Sequence, residues 1–230
     1  IMGMRPFARP GVRAALERLM NAAGEIDRFA EHISAFTGRM TSLGYPCTNG
    51  VAGGAPYDVV ADYFRGARGM MTDIYRNRDK LLELLDKMTV FLLRQIIPAA
   101  RDSGNPVVFL PIHWAPDAFM SDKQFRELWW PSFRKLMIGL IDAGLIPMPL
   151  WEADCTKRLE IIRDIPPGKC IYWFERTDMV KAFEVLGDVV ALRGNLSPSM
   201  LTAGTPADVD AAVRHLAENV FHKGGKLILD

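Results

Sequence analysis

Val189-Val-Ala-Leu-Arg-Gly-Asn-Leu-Ser-Pro-Ser-Met-Leu-Thr-Ala-Gly-Thr-Pro-Ala-Asp-Val-Asp-Ala-Ala-Val213 reads as one strand, loop and helix. Val189 to Leu192 is a short apolar run of strand type, and Gly194-Asn195 is the turn at its carboxyl end. Thr205-Pro206 opens an amphipathic helix. Thr205 is placed to cap it, Pro206 fits the first helical position because the missing N–H has no intrahelical partner there, and Asp208 supplies first-turn negative charge. Val209, Ala212, Val213, Leu216, Ala217 and Val220 are then expected to form one buried stripe.

Working outward, the same unit recurs. Val107 to Ile112 is a continuous apolar run, as expected of a strand covered on both sides, and His113-Trp-Ala-Pro-Asp117 follows it. Ser121 and Gln124 form a capping box for a helix carrying Phe125, Leu128, Trp129, Phe133, Leu136 and Leu140, which Gly144 ends. Met148 to Ala153 is the next strand, with a helix from Thr156. Cys170 to Phe174 follows, with a helix from Thr177, and Lys226 to Leu229 begins another unit. Upstream, helical spacing marks residues 11–23 and 25–37 as two helices. Met40 to Cys47 is a strand candidate, and Asn49 to Pro56 is rich in glycine. That loop matches neither the P-loop nor the dinucleotide fingerprint, so it reads as a turn. Asn77 is placed to cap a long helix with Leu81, Leu85, Met88, Leu92 and Ile96 on one face, ended by Asp102-Ser-Gly-Asn-Pro106. Six strands alternating with helices imply a parallel sheet with right-handed crossovers. A doubly wound sheet and most of an eight-stranded barrel both satisfy that pattern.

The chain has 230 residues, 49% hydrophobic and 24% charged, with a formal net charge of +1. This is the composition of a globular protein with a sizeable core. Lys and Arg are neither in excess nor clustered, which argues against nucleic acid as a partner. No apolar run reaches the roughly 18 residues that span a bilayer and the first residues do not form a signal peptide, so the expectation is a cytoplasmic protein without a membrane partner. Cys47, Cys155 and Cys170 lack metal-knuckle or disulfide-framework spacing and read as small core or boundary residues. His32, His215 and His222 lie on helical faces or ends and read as surface groups. Trp129, Trp130 and Trp173 read as packing.

The Gly194-Asn-Leu-Ser-Pro-Ser-Met-Leu201 run, with Gly204-Thr-Pro206 and a helix behind it, resembles the Gly-Asn-Leu-Asp-Pro segment of the uroporphyrinogen decarboxylase superfamily. Gly54-Ala-Pro-Tyr57, with Gly66 downstream, is similar to the Gly-Ala-Pro-Trp segment of the same superfamily. It comprises the tetrapyrrole decarboxylase and corrinoid-linked methyltransferases. The resemblance covers about residues 40–230 and implies a TIM (β/α)8 barrel lacking here its first two strands and last helix. The expected organisation is one incomplete barrel domain over 1–230, with N-terminal helices at 1–39 and barrel elements at 40–230. Open sheet edges predict self-association, and hence a homo-oligomer.

In such a barrel the chemistry sits after the strands' carboxyl ends. That singles out His113 and Asp117, Glu152 and Asp154, Glu175 and Arg176, and Arg193 and Asn195. His113 titrates near working pH and suits general acid or base work or metal ligation; a hydrogen-bonded loop histidine beside Trp114 is the plainer alternative. Asp117 is placed either to orient His113 or to cap the turn before Phe119. Glu152 and Asp154, two apart on an expected strand, should project to one face, where they would raise each other's pKa or share a cation; solvated loop charges are the alternative. Asn195 would either meet substrate or tie down its own turn.

The resemblance also implies what differs. The place of the decarboxylase's functional tyrosine holds Asp62, with Tyr63 adjacent, and the place of its functional serine holds His113. In the methyltransferase branch a His-x-Cys zinc motif falls, aligned through Leu159, on Leu150 and Glu152. The expected function is methyl transfer between a methylated small molecule and a corrinoid carried by a partner protein. His113 would donate the proton, with Glu152 and Asp154 positioning substrate or a metal. Asp62, Tyr63, Trp114, Asp117 and Asn195 are the expected substrate contacts, and Glu152 and His113 the candidate ligands of a divalent metal such as zinc. Porphyrinogen decarboxylation is the alternative, and a noncatalytic corrinoid- or tetrapyrrole-binding subunit is a third.

Overall fold

A computed structural model describes residues 2–45, 47 and 50–230. The chain divides into two units, Ile1–Thr48 and Asn49–Asp230.

The first unit is a 3-10 segment, Met2–Ala8, and one helix, α1 (Pro10–Ser42). The two helices expected at 11–23 and 25–37 are therefore one rod of 33 residues, about 50 Å long. Gly24 does not break it: an interior glycine costs only about 1 kcal/mol against alanine, and Ala22, Ala23 and Glu25 beside it favour helix. The strand expected at Met40–Cys47 is also corrected. Met40 to Ser42 complete α1, Gly44 leaves it with φ +89°, and Pro46 lies outside the described residues.

In the second unit six strands form one parallel sheet: β1 (Val51–Ala52), β2 (Val107–Ile112), β3 (Ile146–Trp151), β4 (Ile171–Phe174), β5 (Ala191–Arg193) and β6 (Leu227–Ile228). Their order in space is their order in sequence. A doubly wound sheet reverses direction at a switch point; uninterrupted order is the winding of a β/α barrel, of which these strands form a part.

β1 falls inside the glycine-rich stretch, and close packing accounts for Gly53. A Cβ there would lie 2.5 Å from Ile96 Cδ1, while the Gly53 N–H donates to the Phe109 carbonyl at 2.8 Å. Ile96 belongs to α4 (Arg78–Ser103), whose predicted stripe of Leu81, Leu85, Met88, Leu92 and Ile96 is buried. Asn77 does not cap α4 through its side chain; its Nδ2 donates instead to Asp73 Oδ1 at 2.8 Å, within the turn that ends α3 (Gly66–Arg76).

Alternation separates the strands' two faces. Val108, Leu110, Ile112, Trp151, Tyr172 and Phe174 point to the helices and are buried. Trp129 stacks on Phe125 at 5.1 Å and meets Trp151 at 5.9 Å, and Trp151 meets Tyr172 at 5.4 Å. The Trp129 and Trp130 packing expectation holds, with Trp130 heading α6 (Trp130–Asp142) and both rings buried. The opposite face carries a register row of Pro111, Leu150, Trp173 and Arg193. The Arg193 guanidinium lies 3.7 Å over the Trp173 ring and pairs with Asp230, so Trp173 is a platform on the half-buried face.

The expected Ser121–Gln124 capping box heads α5 (Asp122–Gln124), and the expected Thr205 cap heads α7 (Pro206–Leu216), where Asp208 completes a second box. Of the buried stripe expected there, Leu216 and Val220 are buried and Val209, Ala212, Val213 and Ala217 half-buried. Each helical run contains a π-turn, at Phe125–Trp129 and Ala217–Phe221. No helix among the described residues is long and apolar enough to cross a membrane.

Candidate functional site

Two residues beyond the Pro111–Leu150–Trp173–Arg193 row lie His113, Glu152, Glu175 and Asn195, the polar groups following four adjacent strands. His113 Nδ1 and Glu152 Oε2 are 2.8 Å apart, joining residues 39 positions apart in sequence. The pair is only partly covered, with side-chain exposures of 45% and 37%, so both remain accessible to a small molecule. Burial lowers the His113 pKa, but the hydrogen bond and charge of Glu152, with the charges of Asp58 and Asp62, outweigh it and the net shift is upward. When Nδ1–H is given to Glu152, Nε2 is the free ring nitrogen.

His113 does not hold its own position. Asp58, on the short helix α2 (Pro56–Val60), is 2% exposed. Its Oδ2 accepts the N–H of His113 at 2.6 Å and that of Trp114 at 3.2 Å, and its Oδ1 accepts the Trp129 indole N–H at 2.8 Å. Burial pushes the Asp58 carboxyl up to about 7, against the lowering effect of these three donors. Nothing in the sequence reading singled out Asp58. The available signal was its place among Ala55, Tyr57, Val60 and Ala61, all of which are buried.

On the other side of the pair, the alternation argument for Glu152 and Asp154 fails. β3 ends at Trp151, and Ala153 has φ +54°, a left-handed conformation that interrupts alternation. Glu175 Oε2 accepts the Ala153 N–H at 2.6 Å. Asp154 Oδ1 instead accepts the Thr156 N–H and hydroxyl at 2.9 and 2.5 Å, so Asp154 shapes its own loop.

Asp117 neither orients His113 nor caps the turn before Phe119. Its Oδ2 accepts the Lys157 N–H at 3.0 Å, and its Oδ1 lies 3.5 Å from Nε of the buried Arg158. Arg158 also donates to the carbonyls of Ala115 and Met120 and to Asp122, and its guanidinium stands 4.8 Å over Phe125. It thereby clamps the loop that carries His113 from below. Sequence reading missed Arg158 too, since a basic residue between Lys157 and Leu159 looks like a solvated charge. Asn195 Nδ2 donates to the Thr177 carbonyl at 2.7 Å, and Thr177 Oγ1 accepts the Cys155 N–H at 3.1 Å. Asn195 therefore ties the loops after β4 and β5 together.

Asp62 and Trp114 belong with the pair. The Trp114 indole donates to Asp62 Oδ1 at 2.9 Å, and its ring lies 5.2 Å from Phe119. An open cavity of about 410 Å³ lies beside them, bordered by Gly53, Gly54, Asp62, Tyr63, Pro111 and His113. That volume suits a small organic molecule. Tyr63 is 79% exposed at its margin. Another cavity, of about 370 Å³, sits at the amino ends of β3 to β5, where barrels carry stability, not chemistry.

Among the described residues no three His, Cys, Asp or Glu side chains converge as a metal site. His113 and Glu152 turn their donor atoms toward each other, and Asp154 is engaged by Thr156. These residues do not by themselves fit a resident zinc. Burial pushes the Cys170 thiol up to about 12 and raises the Cys155 thiol as well, which agrees with core roles for both.

Parallel strands in sequential order, with polar groups converging beyond their carboxyl ends, define a protein with the winding of an α/β barrel. A family model described as uroporphyrinogen decarboxylase (URO-D) matches residues 5–229, and the chain belongs to that family. A uroporphyrinogen decarboxylase of Aromatoleum aromaticum (strain DSM 19018 / LMG 30748 / EbN1) is 27% identical over 213 residues, covering 87% of this chain and 54% of that protein. A solved structure of a methyltransferase from Methanosarcina mazei shares the fold with a TM-score of 0.61 at 18% identity, covering 80% of this chain and 53% of that one. The chain spans about half the length of each of these two proteins.

Proposed function

We propose that this chain belongs to an enzyme that transfers a methyl group between a methylated small molecule and a corrinoid on a partner protein. The observation that carries this reading is the His113–Glu152 pair, an imidazole held toward its charged form at the edge of an open, small-molecule-sized cavity. Cleaving a bond between methyl carbon and a heteroatom leaves the electron pair on the heteroatom, and a proton must arrive there. His113 Nε2 supplies it while Glu152 accepts the Nδ1–H and stabilises the cation. The corrinoid, when bound, supplies the cobalt centre that takes the methyl group. Asp62 and Trp114 border the substrate, with Tyr63 at the margin.

Porphyrinogen decarboxylation is the second reading, favoured by the family and by the name of the Aromatoleum relative. It calls for basic groups facing a multiply anionic substrate. Among the described residues the acidic groups lining this cavity are Asp58 and Asp62, beside His113, which suits a neutral or cationic substrate better.

The test uses the full-length protein with cob(I)alamin and a panel of O-methyl phenols, methylamines and methyl thioethers, following methylcobalamin by absorbance, with uroporphyrinogen assayed in parallel for CO2 release. Methylcobalamin formation that falls about 10²- to 10⁴-fold in His113→Gln is the expected result. Release of CO2 with no methyl transfer from any of the panel would replace this reading with decarboxylation. Tight corrinoid binding without turnover, indifferent to His113→Gln, would make the protein a binding subunit.

A further inference from the structure

We infer that Asp58 is a positioning residue for the His113–Glu152 pair, fixing the peptide from which the imidazole projects so that Nδ1 meets Glu152. The functional meaning of this role rests on the reading of His113 as proton donor; the geometry does not.

β2 ends at Ile112, and the next two peptide N–H groups, those of His113 and Trp114, turn to one carboxylate oxygen 55 residues upstream. The other oxygen takes the indole N–H of Trp129, which is itself held between Phe125 and Phe133 at 5.1 and 4.9 Å. Asp58 thus transmits the placement of a rigid aromatic cluster to the backbone of a half-exposed histidine. A carboxyl side chain, with two oxygens to offer, is what this arrangement requires. Three donors converge on it, and an amide of the same shape would offer one oxygen and turn an NH2 toward at least one of them. Burial makes ionisation of this carboxyl costly, and hydrogen bonds on both oxygens offset that cost only in part. No hydrogen bond joins Asp58 directly to the imidazole among those observed, so its action on the ring runs through the main chain.

The alternative is that Asp58 merely stabilises the fold and adds its charge to the field at His113. Among the described residues the titratable groups acting on that ring are Glu152 from the loop after β3, Asp62 from the π-turn that continues α2, and Asp58 beneath. A field effect is additive with that of Glu152, whereas aiming is not. If Asp58 aims the ring, the influence of Glu152 on His113 depends on Asp58 being present.

The experiment is a double-mutant cycle read on the His113 imidazole by NMR pH titration of the full-length protein, with Asp58→Asn, Glu152→Gln and both together. In the otherwise native protein Glu152→Gln lowers the His113 midpoint. The expected result is that in the Asp58→Asn background the same change moves it by less than half as much. An equal displacement in both backgrounds overturns the proposal. Should Asp58→Asn fail to fold, amide hydrogen exchange in the unaltered protein decides. Protection of the His113 and Trp114 amides comparable to that within β2 supports the anchor, and exchange at the rate of open loop amides overturns it. Both readouts concern the ring and its peptide, so they stand or fall separately from methyl transfer.

Discussion

At the scale of single residues, the site is built from side chains that meet main-chain N–H groups as much as from side chains that meet each other. Asp58 anchors the peptides of His113 and Trp114, and Glu175 anchors that of Ala153. His113 and Glu152 were legible because each follows an apolar run of strand length. Asp58 and Arg158 were not, because a buried charge leaves no trace in hydropathy when its partners are backbone groups or lie far away in sequence. Asp58 carries a pH signature. Its folded value of about 7 stands above the ordinary 3.8, so the stability it contributes is fully present below about pH 4 and is lost as pH rises through about 7. Asp58→Asn removes that titration. The stability of the native protein relative to Asp58→Asn should therefore fall by about 2–3 kcal/mol between pH 5 and pH 8, measured by urea unfolding at both. A difference independent of pH would show that Asp58 ionises no less readily in the folded protein than in the unfolded chain.

Among the elements, caps and apolar stripes were well marked. The Ser121–Gln124 box, the Thr205 cap and the buried face of α4 follow directly from local sequence. Element ends were less legible. α1 runs through Gly24 because its flanking residues favour helix more than one glycine disfavours it. β3 stops two residues short of the expected Ala153 because the loop beyond it is pulled into a left-handed turn by Glu175, a contact 22 residues away. The loop from His113 to Ser121 has few ladder contacts and depends on the buried Arg158 guanidinium. Replacing it as Arg158→Met leaves Asp117 and two carbonyls without that donor. We expect a loss of about 3–5 kcal/mol in urea unfolding, as for one partner removed from a buried ion pair. A loss below about 1 kcal/mol would mean that the loop is held by other contacts.

For the molecule as a whole, alternating strands and helices announced a parallel sheet, and the Gly-Asn-Leu and Gly-Ala-Pro-Tyr segments pointed to a barrel. Only the spatial order β1 to β6 shows the winding directly. That winding places the ends of β2 and β3 side by side, with Ile112 opposite Trp151, and so brings His113 and Glu152 within 2.8 Å. This juxtaposition holds His113 toward its protonated, proton-donating form. NMR titration of ¹⁵N-histidine-labelled full-length protein measures it without a substrate. Below its midpoint His113 carries the proton it is to donate, and above it that proton is lost. The expected midpoint lies above the ordinary 6.5 and drops when Glu152 is changed to Gln, because burial then acts with less opposition. A midpoint at or below 6.5 that is indifferent to Glu152→Gln would show that Glu152 does not hold the imidazole in its protonated form.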